Sequence, residues 1–254
     1  MLGTDDLAVF STRDIAAITA AAVQGLSAGV ITSLSTDQVA ALSATAVAAL
    51  STAQITALDS GQIAVLTSKQ MAALGTVQIG VLPTGAIAGL TTLQVAALNT
   101  AAVAALNTAQ IAALTTAQAE ALTTLQVAAL TSAQLAALGA DDLATFSTKD
   151  MAAIGSLAVD GLSTDVIATL STAQIAALST IAITGLSTKQ IDALTTAQVE
   201  ALGTGQVAVL NSTQLAVLSP EDIATFATKD IAAISAGAMS GLSTAAIGAL
   251  TSAQ

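Results

Sequence analysis

Residues 106–118 read LNTAQIAALTTAQ, and after eight residues the string begins again. The same word, with variations, runs along the 254-residue chain. With STAQIAAL as reference, its positions are numbered here as slots one to eight. Slot eight, from Leu2 to Leu250, is always Leu, Phe or Ile, without insertion or deletion. Slot five, from Leu7 to Ile247, is a large apolar residue throughout, except at Ala119. Slot one is Ser, Thr, Asn, Asp or Gly except at Pro83 and Ala227, and slot four is most often Gln. So slip-free a pattern predicts a single continuous octapeptide-repeat domain over 1–254, with no linker.

The period selects the structure. Strand alternation mixes polar and apolar residues on both faces, and Ala and Gln are weak strand formers, so a β-solenoid is only the alternative. One long helix fits badly, because eight residues at 100° rotate the apolar stripe by about 80° per octad. One short helix per octad gives each slot a reason. Slot one N-caps, its side chain accepting a first-turn N–H. Gln at slot four becomes N3 and reaches back to the cap's own N–H, closing a capping box. Pro220 falls at N1, where a missing N–H costs nothing. Slots five and eight share a face by i, i+3 spacing. Helices this short are unstable alone and must stack. The expected fold is therefore all-α, a solenoid of very short capped helices, one per eight-residue repeat.

Composition restricts the chemistry. The chain is 54% hydrophobic, 8% charged and 1% aromatic, and it has no His, Cys, Trp or Tyr. Imidazole and thiolate catalysis and the usual zinc, haem and iron–sulfur ligands are thus missing. No serine has a histidine to activate it, and identical repeats do not supply carboxylates in unlike environments. No enzymatic activity and no cofactor are expected. The net charge is −11, and the five cations, Arg13, Lys69, Lys149, Lys189 and Lys229, are dispersed. A nucleic acid partner, which needs clustered cations, is not expected. Polar pairs interrupt every octad, so no stretch reaches the roughly 18 apolar residues of a membrane span. The N-terminal MLGTDDLAVF lacks the basic and apolar regions of a signal peptide.

Longer cassettes recur at 5–26 (DDLAVFSTRDIAAITAAAVQGL), 141–162 (DDLATFSTKDMAAIGSLAVDGL) and 221–242 (EDIATFATKDIAAISAGAMSGL). They hold all three phenylalanines, Phe10, Phe146 and Phe226, and more than half of the sixteen acids. Asp5, Asp6, Asp14, Asp141, Asp142, Asp150, Glu221, Asp222 and Asp230 are the calcium candidates, since Ca²⁺ takes clustered carboxylate oxygens. The competing assignment puts Asp6, Asp14, Asp142, Asp150, Asp222 and Asp230 at N3, where a carboxylate caps the helix and meets its dipole. No D-x-D-x-D-G spacing is present, and the capping role is preferred, with no metal expected. A second array, Thr92, Thr100, Thr108, Thr116 and Thr124 at slot two, suits either ordinary N1 positions or a water-ordering surface.

The runs LSTAQIAAL, LTTAQVEAL, LTTLQVAAL and LNTAQIAAL resemble Ala/Thr/Gln-rich octapeptide tracts of very long secreted or cell-surface proteins of Gram-negative bacteria. The resemblance spans essentially the whole chain and implies an extracellular or cell-surface structural role, such as an adhesin stalk, matrix component or filament. Such proteins often leave through type I systems and carry glycine-rich calcium repeats; no G-G-x-G-x-D nonapeptide occurs here. The chain starts near slot seven and stops at slot four without an atypical polar repeat, which favours polymerisation or a piece of a longer stalk. The expected partner is therefore the protein itself, head to tail or laterally. The alternative function is an ice- or surface-binding module built on the Thr rows, and a third is a calcium-stiffened adhesin.

Overall fold

The computed structural model describes Leu7 and residues 9–254. Among the described residues it contains 29 α-helices of four to six residues and one 3-10 helix, with no strand. Helices begin at slot two, as at Thr52–Ala57, and the preceding slot-one residue is the N-cap. Ser51 Oγ accepts from the N–H of Gln54, and Gln54 Oε1 accepts from the N–H of Ser51 at 2.8 Å. The capping box expected from the word is thus the local unit of the fold.

The chain turns without left-handed residues: none of the described residues has a positive φ. Leu58 at slot eight (φ −67°, ψ 132°) ends one helix in extended conformation, and Asp59 (φ −80°, ψ 170°) opens the next. Ordinary L residues make this corner, which is why the word needs no obligatory glycine. One octad departs from the pattern. Residues 155–162, GSLAVDGL, form only the 3-10 helix Val159–Gly161. Here Gly155 has no side chain to cap and Ala158 none to reach back, although Thr84–Ala88, behind Pro83 and with Ala86 at N3, forms an α-helix with neither clamp.

Two compact units make up the chain, Met1–Ala129 and Leu130–Gln254, and the octad frame runs through the junction without an insertion. Within each unit, helices pack on the helix three octads away. In the first, Thr12–Ala16 packs on Thr36–Ala41; in the second, Thr172–Ala177 packs on Thr196–Glu200. A coil of the solenoid is therefore three octads, a number the linear pattern does not contain. Slots five and eight line its interior: Ile55, Leu58, Ile63 and Leu66 are 1–6% exposed. Each residue touches mainly its own and adjacent coils, so stability is a sum of neighbour interactions along the stack.

Candidate functional site

The slot-four glutamines are buried polar residues, which fold only with their hydrogen bonds made. Gln54 is 3% exposed, and its Nε2 donates to the carbonyls of Val23 at 2.7 Å and Leu26 at 2.8 Å. Gln198 does the same to Ile167 (2.8 Å) and Leu170 (2.6 Å). The acceptors stand 31 and 28 residues earlier, at slots five and eight; the slot-five carbonyl, as at Val23, also accepts the N–H of its own slot-eight residue, while the slot-eight carbonyl lies beyond the helix end. One amide thus caps its own helix through Oε1 and closes the helix end of the previous coil through Nε2. Repeated along each unit, these amides form a ladder that locks coil to coil. The capping half was legible in the sequence. The reaching half was missed, although a buried amide with two unassigned donor hydrogens was the signal for it.

The acidic cassettes interrupt the ladder. Asp14, Asp142, Asp150, Asp222 and Asp230 all stand at N3 and accept the N–H of their slot-one residue. Asp14 also accepts from Ser11 Oγ at 2.6 Å, and these side-chain and backbone hydrogen bonds hold its carboxyl below the ordinary value of 3.8. Asp141 and Glu221 are exposed, while Asp5 and Asp6 lie outside the described residues. Among the described residues, no group of three or more His, Cys, Asp or Glu is placed to hold a metal ion. The candidate acids are brought to separate helix starts, not to one another. A carboxylate has no hydrogen to donate, so Asp222 and Asp230 cap their helices but cannot donate to carbonyls of the previous coil as Gln198 and Gln206 do.

The slot-four order has a longer period. From Asp142 to Gln214 it runs Asp, Asp, Ala, Val, Gln, Ala and four Gln, and from Asp6 to Gln78 the order is identical. From Ala86 to Gln134 it runs Ala, Gln, Ala and four Gln, the same block short of its first three octads and with Ala in place of Val at its start. Three octads is one coil, so the blocks differ by an integral piece of the fold.

Other surfaces follow from the coil. The slot-two threonines are exposed, and Thr92 and Thr116, three octads apart, share a face, as do Thr100 and Thr124. The linear array is therefore dealt out over three faces. Leu93, Leu125, Leu157 and Ile181 at slot three are 64–88% exposed. At slot seven, Gly161, Gly185 and Gly241 lie so close to the main chain of Ser132, Ser156 and Ser212 that a Cβ would overlap it. The sequence places these glycines before the helix end but does not disclose this contact, because the serines lie 29 residues upstream.

The linear pattern has a counterpart among known proteins. A comparison with curated proteins returns no match. The model of the ALTTAQ repeat family, however, matches residues 31–68, 47–76, 57–92, 92–124, 103–140 and 167–208, together more than half of the chain. The string that names it stands here at 113–118 and 193–198, a slot-eight Leu followed by the Thr cap and the Gln that builds the ladder. This chain belongs to the ALTTAQ repeat family.

Proposed function

We propose that the protein is a structural element, an extracellular or cell-surface stalk or filament built by adding coils, and not an enzyme. One observation supports this reading: the same contact, a slot-four amide on the carbonyls 31 and 28 residues back, recurs from coil to coil within each unit, so coils are added without a new kind of contact. The lack of His, Cys and Tyr supports a non-catalytic role. No helix of the described residues is long and apolar enough to cross a membrane. Electron microscopy of negatively stained purified protein tests the proposal. Filaments or end-to-end rods that lengthen with concentration support it, and dispersed particles of one length at high concentration refute it.

The exposed Thr columns favour a second reading, a surface- or ice-binding module. Ice recrystallisation assays decide it: activity abolished by replacing Thr92 and Thr116 supports the reading, and a null result removes it.

A further inference from the structure

Asn211, Ser212 and Thr213 form the triplet N-x-[ST], the acceptor motif for asparagine-linked sugars. The other two asparagines, Asn99 and Asn107, have Ala101 and Ala109 where the motif needs a hydroxyl. All three are exposed slot-one N-caps, so their amides stand at the surface and not in the core. Asn211 Oδ1 accepts from the N–H of Gln214 at 2.9 Å and from the hydroxyl of Thr213, also exposed, at 2.6 Å.

The three amide nitrogens are not equivalent, and the coil explains why. Asn99 heads an octad whose slot four is Ala102, and its Nδ2 donates to the carbonyls of Ala72 at 3.1 Å and Leu74 at 2.9 Å. The carbonyl 25 residues before Asn211 is that of Leu186, and it already accepts from Gln214 Nε2 at 2.9 Å. The carbonyl of Leu82, 25 residues before Asn107, likewise accepts from Gln110 Nε2. A slot-four Gln thus occupies the inter-coil acceptor and leaves the slot-one amide of its own octad unengaged. Among the described residues, neither Asn107 Nδ2 nor Asn211 Nδ2 makes a hydrogen bond. Asn211 alone joins a free NH₂ to a hydroxyl on the second residue after it.

We propose that Asn211 of the folded chain is a glycosylation site, which takes one N-linked sugar from a donor activated at C1 by a diphosphate. A transferase supplies the chemistry. The bond from Nδ2 to C1 forms as the bond from C1 to the diphosphate oxygen breaks. The diphosphate leaves with the electron pair, and a base of the transferase takes the amide proton. Oδ1 is untouched, so the cap on Gln214 and the rung from Gln214 to Leu186 survive with the sugar in place. The sugar adds a bulky, solubilising branch to the surface of the coil. The site depends on the octad and its register, whether or not coils polymerise.

The folded full chain is incubated with UDP-glucose and a soluble asparagine-directed glucosyltransferase that modifies the isolated peptide 208–216, and the intact mass is read. One hexose is gained, and cleavage after Lys189 and Lys229 places it in peptide 190–229, which contains no other Asn. The melting temperature is unchanged by the sugar. Asn211→Asp, which keeps the capping oxygen, abolishes the gain, as does Thr213→Val. Ala109→Thr adds a second hexose, at Asn107. Ala101→Thr adds none, because the Asn99 amide is held by Ala72 and Leu74. The proposal is overturned if the folded wild type gains no hexose. It is equally overturned if Ala101→Thr gains one as readily as Ala109→Thr, since the register then decides nothing.

Discussion

Residues 139–170 and 171–218 lie in the same unit, share the same octad and bury the same slots. Leu143, Met151, Val159 and Ile167 are 0% exposed in the first stretch, as Ile175, Ile183, Val199 and Val207 are in the second. What separates them is slot four: Asp142, Asp150, Ala158 and Val166 against Gln174, Gln190, Gln198, Gln206 and Gln214, with Ala182 the one exception. The core is therefore indifferent to the ladder. Apolar burial makes short helices stack, and the buried amides decide which carbonyls they stack against. The cassette is still held from one side, because Gln174 donates to Leu143 and Phe146 and Gln190 to Val159 and Leu162. It supplies carbonyls to later coils and offers no amide to earlier ones. A cassette is the terminus of a ladder without being an end of the fold.

The comparison can be broken most forcefully where backbones touch. Gly185→Ala in the laddered stretch and Gly161→Ala in the cassette each force a Cβ into the main chain of a serine. Each is expected to cost about 3 kcal/mol or more by urea denaturation, while Gly237→Ala, with nothing within 4 Å, costs little. Next comes the ladder itself. Gln198→Glu keeps the shape but turns an oxygen toward Ile167 and Leu170, and about 3 kcal/mol should be lost at neutral pH. Protonation returns a donor, so this loss shrinks as pH falls through the raised pKa of the new carboxyl. Gln198→Ala, without charge, should cost about 2 kcal/mol with no such pH dependence. A cassette can also be improved. Ala227 leaves the helix Thr228–Ala233 without a side-chain cap, and Ala227→Ser is expected to stabilise by about 1 kcal/mol in thermal melts.

The smallest effect lies at Asp14, whose carboxyl is held low by the Ser11 hydroxyl and N–H. Because the folded pKa is depressed, its contribution is complete above the unfolded value of about 3.9. It disappears as pH falls through the folded value, below 3.8. An NMR titration of the Asp14 side chain should show a midpoint below that of Asp14 in the unfolded chain, and Ser11→Ala should raise it.

The helix per octad, its cap, its box and its core pair were legible because each is a local matter of side chain and nearest backbone. The coil was not. Three octads per turn depends on how Leu58 and Asp59 angle successive helices, a corner common to nearly all repeats. Without that number, Gln54 has no visible connection to Val23, nor Gly185 to Ser156. The acids at slot four were legible as caps, but the meaning of replacing Gln by Asp appears only when the opposite carbonyls are known.

Ten and three share no common factor. The cassettes of the second unit begin ten octads apart, at Gly139 and Ser219, on a coil of three octads. The second of these cassettes is therefore offset from a whole number of coils by one octad, and its acids move to the next face. The arrangement works like a vernier: one scale counts coils, the other counts blocks, and the two coincide only after thirty octads. A stack of such blocks carries its ladder breaks and charges in rotation around three faces, so no single side accumulates them.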